Sequence, residues 1–381
     1  MTHTSSPTIV VIGCGVIGLS SALSLQELLR DDPSKSSWQV VIVSKEWPTS
    51  IPGAPTSHSI EYSSMWAGAH VRPIPAITTQ LRQESRWLKQ TVSKFNSLLK
   101  AGNQIGLTLA PAIEVFEAPG NEYKAQTAES FEADSGLKGY RELTAEELPR
   151  GTTFGFEYES YCINSPVYCG DLLRKFIIAG GKTINATLRS VDEASVITPN
   201  VQFVVNASGI GFNDSKVFPI RGHIVLTNSI CFDKTITRQN LDGTWNFIIP
   251  RFFSGGTVIG GTKEPHDWRQ LPDSVTRRRL LAGVEELKPY ALSSGSSRQP
   301  EKISVIQEIV GRRPAREGGL RLETEFPGNT YSTESKIPVI HAYGAGGRGF
   351  EISWGVADRV AELARSLMLK LDQTTGRLAR L

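Results

Sequence analysis

The segment Gly311-Arg312-Arg313-Pro314-Ala315-Arg316-Glu317-Gly318-Gly319 places three arginines within five residues, directly after KISVIQEIV, which reads as a strand. A guanidinium at a strand end is either a solvated rim charge or an anion clamp, and its planar fork suits a carboxylate because it donates two parallel hydrogen bonds. A second chemical segment is Gly13-Cys14-Gly15-Val16-Ile17-Gly18, which follows the apolar run Ile9 to Ile12 and precedes Leu19, Ala22, Leu23, Leu25 and Leu28 at helical spacing. In this strand–turn–helix, Gly13 permits the tight turn, Gly15 lets a pyrophosphate touch the backbone, and Gly18 lets helix and strand pack closely. The third is KIPVIHAYG running into AGGRGFEISWG, after which a helix begins. Helix N-termini favour negative charge, so one junction can hold phosphates and the other can face electron density developing on a ring. Two such junctions far apart in sequence imply a cofactor with two distant ends, a requirement FAD meets.

The elements that must position these groups follow from periodicity. A second strand, WQVVIVSKE, follows the polar break DDPSKSS, as a βαβ unit requires. A nicotinamide enzyme carries an acid at the end of this strand for the ribose, whereas here Ser44 is followed by Lys45 and Glu46. The polar loop TSHSIEYSSMWAGAHVRPIP then replaces further βαβ repeats, which argues against a nicotinamide-dependent dehydrogenase. Residues 76–100 read as helix and 101–160 as short strands and loops. SPVYCGDLLRKFIIAGG reads as a helix, and NVQFVVNASGIGF as a buried strand whose small residues let a backbone pass close to a ligand. Strands and turns fill 218–265, helix 274–290, strands 301–312 and 337–343, and an amphipathic helix 352–371.

A length of 381 residues favours two domains in one chain. Lys+Arg 41 against Asp+Glu 38 gives +3, too mild and dispersed to point to nucleic acid or a membrane surface. Cys14, Cys162, Cys169 and Cys231 form no CxxC pair and no metal spacing, so buried thiols and no metal site are expected. No apolar run approaches the roughly 20 residues of a membrane helix, and the N-terminus lacks the pattern of a signal peptide. Ala379-Arg380-Leu381 is a variant of the Ser-Lys-Leu peroxisomal address, which would make the peroxisomal import receptor a partner and the peroxisome the location.

IVVIGCGVIGLSSAL at 9–23, EYSSMWAGAH at 61–70, VVNASGIG at 204–211, FPIRGHIVL at 218–226, FIIPR and GGTVIGGTKEPHDW within 247–268, GRRPAREGGLRLE at 311–323 and HAYGAGGRGFEISWG at 341–355 occur in order across nearly the whole chain. Together they resemble the D-amino-acid oxidase and D-aspartate oxidase family of FAD enzymes. The resemblance implies an α/β fold: a Rossmann-like FAD-binding domain (1–75, 160–217 and 305–372) interleaved with an antiparallel-sheet substrate domain (76–159 and 218–304), and a flexible tail, 373–381. It implies oxidative deamination of D-amino acids to 2-oxo acids, ammonia and hydrogen peroxide, with hydride passing from the α-carbon to flavin N5 and oxygen taking the electrons. A homodimer is left open.

The resemblance also assigns residues. Arg313 matches the clamp for the substrate carboxylate, while Arg312 and Arg316 are expected as rim charges or internal ion pairs. FAD would be held by Gly13, Gly15, Val16, Ile17 and Gly18 at the first turn, and by Ser44, Lys45 and Leu188 toward the nucleotide. Ser63, Ser64, Gly68, Ala69, Ser208 and Gly209 would line its path, and Gly346, Gly347, Arg348, Gly349, Phe350 and Glu351 its far end. Gly347 would border the substrate as well. The departures concern specificity. Phe247 stands where relatives carry a carboxylate-binding tyrosine, and Trp245 is expected as a wall. Lys263, His70, Arg72 and Arg348 are cations or donors that a neutral amino acid would not need, whereas a second carboxylate would. Against this, Lys263 and Arg72 could be solvated, His70 a hydrogen-bonded loop residue, and Arg348 turned away; Glu351 is expected to turn outward as a first-turn acid on the helix dipole. The sequence thus leans to acidic D-amino acids, with neutral D-amino acids as the alternative and a glycine or secondary-amine oxidase as the remoter one. The retained Arg313 and open glycine loop argue against a non-catalytic flavin protein.

Overall fold

The computed structural model describes residues 5–49, 57–102, 106–293, 303–326 and 337–378. Among these residues the strands form two sheets. The first runs, edge to edge, β14 (Arg321–Glu325), β15 (Val339–Tyr343), β7 (Val201–Asn206), β1 (Thr8–Ile12), β2 (Gln39–Ser44) and β6 (Lys182–Asn185). All its pairings are parallel except β14 with β15. Every residue of β1 is buried, as a strand covered on both faces requires. Helices α1 (Val16–Arg30) and α9 (Ser353–Leu378) pack on one another over this sheet, and Ser20 Oγ donates to the Ser353 carbonyl at 3.1 Å. Helices α3 (Thr79–Lys100) and α6 (Ser165–Ile178) complete that layer.

The second sheet has nine strands: β12 (Glu264–Pro265), β8 (Val217–Thr227), β11 (Thr257–Gly260), β10 (Trp245–Pro250), β9 (Thr235–Gln239), β3 (Leu107–Phe116), β5 (Phe154–Ile163) and β4 (Arg141–Glu142), with β13 (Val305–Arg316) on β8. It is antiparallel except where β3 meets β9. Period-two alternation splits its faces. Ile248 of β10 and Val225 of β8 pack with Leu280, Val284 and Leu287 of helix α8 (Ser274–Leu287). The residues between them, Trp245, Phe247 and Ile249 on β10 and Ile220, Gly222 and Ile224 on β8, face a cavity. On β13, Gly311, Arg313 and Ala315 share that side.

The expected architecture stands, but three boundaries move. Strand β13 pairs along its length with β8, register Arg313↔Ile220 and Gly311↔Gly222, so 305–316 belongs to the nine-stranded sheet and not to the cofactor-binding half. The same holds for residues 160–163, which complete β5 opposite β3. Pairing partners far away in sequence decide which sheet a strand joins. Residues 373–378 continue α9 instead of starting a loose tail; Ala379-Arg380-Leu381 lies outside the described residues. Between 107 and 163 the chain builds two ten-residue strands and the capped helix α5 (Ala128–Ser135), where Thr127 and Ser130 form a reciprocal capping box, longer elements than expected for 101–160. The four cysteines are buried free thiols. No described helix is long and apolar enough to cross a membrane, and no described cluster of His, Cys, Asp and Glu could hold a metal.

Candidate active site

The turn between β1 and α1 is built as a backbone cradle. Gly13 has φ +98°, and a Cβ there would lie 2.6 Å from the Ala207 carbonyl oxygen, so only glycine fits. A Cβ on Gly18 would collide with the Gly13 carbonyl, and one on Gly15 would come within 2.9 Å of Ser64 Oγ. Ser64 Oγ accepts the Val16 N–H at 3.0 Å, and Tyr62 donates its hydroxyl to the Cys14 carbonyl at 2.6 Å. Loop 59–70 is thereby tied to the turn.

Around this cradle runs a hollow walled by Gly13, Gly15, Val16, Ile17, Ser44, Lys45, Leu188, Ser208 and Gly209. Gly18, by contrast, is buried in the packing of α1 on the turn and is absent from the wall. Ser44 Oγ donates to the Glu46 carbonyl at 2.8 Å, and the Glu46 carboxylate is engaged by Ser59, whose N–H donates at 2.8 Å. A second hollow shares Val16, Ser63, Ser64, Gly346 and Gly349 with the first and extends between the two sheets. The two form one bent channel, a shape that fits a group with phosphates at one end and a ring at the other. Gly68, Gly347, Phe350 and Glu351 wall the inner part, together with Ala69, whose N–H and C=O both bond Ile163 and are not free for a ligand.

The inner hollow also brings together Arg313, Phe247, Lys263, His70, Arg72 and Arg348. Their charges are not equivalent. Arg72 donates to Glu114 at 2.9 Å, is 8% exposed, and stacks 4.7 Å from the Trp245 ring centroid. Arg348 pairs with Glu84 at 2.8 Å and with Glu351 at 2.7 Å. Glu351 also accepts the Arg72 N–H at 3.2 Å. Glu351 therefore points inward: with two cationic neighbours in a buried setting, pairing there outweighs the gain of turning to solvent. Burial pushes its carboxyl pKa upward, with Arg348 and then Arg72 offsetting part of the rise. Arg72 and Arg348 are internal ion pairs and not free cations.

His70 hydrogen-bonds Thr235 Oγ1 through Nδ1 at 2.8 Å. Burial, reinforced by Arg72, pushes its pKa down to about 3, so its imidazole is neutral. Arg313 has no carboxylate partner among the described residues: its Nη1 donates to the Thr262 carbonyl at 3.3 Å, and burial lowers its pKa, with Glu264 partly compensating. Its guanidinium lies against Gly222, where any Cβ would strike it. The adjacent arginines are spoken for, Arg312 by Glu61 and the Trp268 carbonyl, Arg316 by Asp214 at 2.8 Å. Lys263 is exposed on the cavity rim with Nζ 5.8 Å from the Trp245 centroid and forms no ion pair among the described residues. Phe247 packs flat on Gly260 and Gly261 and offers no hydroxyl. Two cations on this wall, Arg313 and Lys263, thus form no ion pair among the described residues, and they flank Thr262, whose carbonyl Arg313 bonds. Sequence reading left out Tyr62, which braces the turn, and Arg251, which braces loop 67–69; no local pattern marks either, because each acts through a backbone oxygen of another segment.

The family profile described as DAO, FAD dependent oxidoreductase, matches residues 8–363. A D-aspartate oxidase of Talaromyces thermophilus is 39% identical over 366 residues, covering 94% of this chain and 95% of that protein. A D-amino-acid oxidase of Schizosaccharomyces pombe is 29% identical, covering 94% and 96%. Among solved structures, glycine oxidase from Bacillus cereus superposes with TM-score 0.63 at 17% identity, covering 94% and 95%, a likeness of fold alone. The chain belongs to the DAO family of FAD-dependent oxidoreductases, and FAD is its cofactor. The glycine cradle and the two-ended channel agree with that cofactor.

Proposed function

We propose that this chain is a D-amino-acid oxidase whose preferred substrates are acidic D-amino acids, D-aspartate first. The observation that carries the acidic preference is the pair of cations without an ion-pair partner among the described residues, Arg313 and Lys263, on a wall where every other arginine already has a carboxylate. Two such charges call for two carboxylates. The names of the relatives support the D-configuration and the oxidase chemistry.

In this reading the turn at Gly13–Ile17 would hold the phosphates of FAD and Gly346–Glu351 would border its ring, which when bound would supply the acceptor for the substrate's α-hydride and the route of the electrons to oxygen. Arg313 grips the α-carboxylate with its fork, and Lys263 meets the side-chain carboxylate over Trp245. Phe247, Ile224 and Trp245 exclude water. His70, neutral, adds no charge that would compete for either carboxylate. Because hydride leaves directly, the side chains serve chiefly by positioning, and no strong base is required of them. The products are a 2-oxo acid, ammonia and hydrogen peroxide. Peroxide release by the FAD-loaded protein from D-aspartate, D-glutamate, D-alanine, D-methionine and L-aspartate tests this. Preference for D-aspartate supports it; preference for D-alanine or D-methionine shows Lys263 to be outside the substrate site.

Peroxide production gives Ala379-Arg380-Leu381 a use as a peroxisomal address read by the import receptor. Removal of these three residues should leave a fluorescently tagged chain outside peroxisomes. A homodimer remains compatible with this function, and light scattering would decide it.

A further inference from the structure

Arg251 follows the strand β10 and is 4% exposed. Its Nε donates to the Gly68 carbonyl at 2.9 Å and its Nη2 to the Ala67 carbonyl at 2.8 Å. Arg313 aside, whose open fork is assigned to substrate, the other buried arginines answer a carboxylate: Arg72 with Glu114, Arg221 with Glu264, Arg238 with Glu117, Arg312 with Glu61. Among the described residues no ion pair includes Arg251, and burial alone accounts for the fall of its pKa to about 10. An unpaired buried charge is costly, and an apolar residue in its place would avoid that cost, so its presence calls for a use.

Loop 67–69 lies between Arg251 and the inner hollow: Ala67, Gly68 and Ala69 wall that hollow, while Arg251 does not. The Ala67 carbonyl is fixed by Arg251 and by Ser165 Oγ at 2.8 Å. In a trans peptide the carbonyl and the N–H point opposite ways, so a carbonyl drawn toward Arg251 turns the Gly68 N–H away from it, toward the hollow. A Cβ on Gly68 would sit 2.8 Å from Ile249 Cδ1, so β10 packs against the same loop that Arg251 tethers.

We propose that Arg251 is an electrostatic positioning residue for the cofactor: from behind loop 67–69 it orients the Gly68 amide and supplies an unpaired positive charge that favours negative charge on the ring in the inner hollow. This rests on the assignment of the ring to that hollow. Field from a fixed charge in a low-dielectric interior acts across a peptide layer without contact, and among the described residues no ion pair cancels it.

The test uses the FAD-loaded protein and the variants Arg251→Lys, Arg251→Gln and Arg251→Met. The readouts are the affinity of the oxidised cofactor for sulfite, its midpoint potential, and Tm; none needs an amino-acid substrate. Lys should retain sulfite affinity close to that of the parent, whereas Gln and Met should lose roughly tenfold or more and shift the potential to more negative values. Gln can still donate to the Gly68 carbonyl that Nε bonds, without the charge, so a Gln variant with parental sulfite affinity and potential would overturn the proposal. If Gln and Met come out colourless while Lys stays yellow with parental sulfite affinity, the requirement for charge is upheld. If all three lose FAD and Tm together, Arg251 is only a peg and the proposal fails. A parent chain that binds no FAD would instead overturn the assignment of the ring.

Discussion

Replacing Arg313 separates binding from folding in a way the structure makes specific. This guanidinium is buried, has no carboxylate partner among the described residues and donates to the Thr262 carbonyl at 3.3 Å. A substrate carboxylate in its fork would form two charge-assisted bonds, each worth about 1.5–3 kcal/mol. Lys can supply only a point charge, so Arg313→Lys loses about one bond and kcat/KM should fall ~10- to 150-fold. Arg313→Met loses both, about 3–6 kcal/mol, and kcat/KM should fall by roughly two to four orders of magnitude. The same change removes an unpaired buried charge, so Tm of the Met variant should be equal to or above that of the parent. Steady-state peroxide release and differential scanning calorimetry on one preparation read both. A loss in kcat/KM below tenfold, or a large loss accompanied by a fall in Tm, would refute the reasoning.

Lys263→Met should raise KM for D-aspartate by ~3- to 30-fold, the range expected when one partly exposed ion pair is lost, and leave D-alanine unchanged; equal effects on both would remove Lys263 from specificity. Arg72→Met strands Glu114 in a buried site and should cost about 3–5 kcal/mol in denaturant unfolding, while Arg72→Met with Glu114→Gln should recover most of it. A double variant no better than the single would mean Arg72 acts through Trp245 or Glu351 instead. His70, held near 3 in the fold against about 6.5 when unfolded, binds fewer protons folded than unfolded between those values. Stability should therefore fall as pH drops through that window, and His70→Gln should lessen the slope of Tm against pH there.

The parts of the site that could be read from sequence are those whose chemistry is local. Gly13, Gly15 and Gly18 sit at a strand–helix junction where spacing alone requires close backbone approach, and Arg313 sits before a proline at a strand end. In the structure Gly13 and Gly15 wall the outer hollow, Gly18 is packed behind it, and Arg313 lies on the wall of the inner one. The ion pairs were not legible: Arg72 meets Glu114 across two elements, and Arg348 meets Glu84 on α3, far away in sequence. Nothing in a string of residues tells whether a cation is free or spoken for: of the four candidate partners for a second carboxylate, acids take Arg72 and Arg348 and burial keeps His70 neutral, which leaves Lys263. Strand β13 illustrates the same limit at the level of the fold. Its apolar and charged residues announce a strand, but only its register on β8 shows that Arg313 projects from the substrate sheet.

The most direct test of the substrate assignment is anaerobic mixing of the FAD-loaded protein with D-aspartate, L-aspartate and D-alanine, following the bleaching of the flavin absorbance. Rapid bleaching by D-aspartate, slower bleaching by D-alanine at equal concentration and none by L-aspartate is the expected result. Bleaching by D-alanine as fast as by D-aspartate would contradict the pairing of Arg313 and Lys263 with two carboxylates, and an unbleached flavin with every D-amino acid would contradict the oxidase itself.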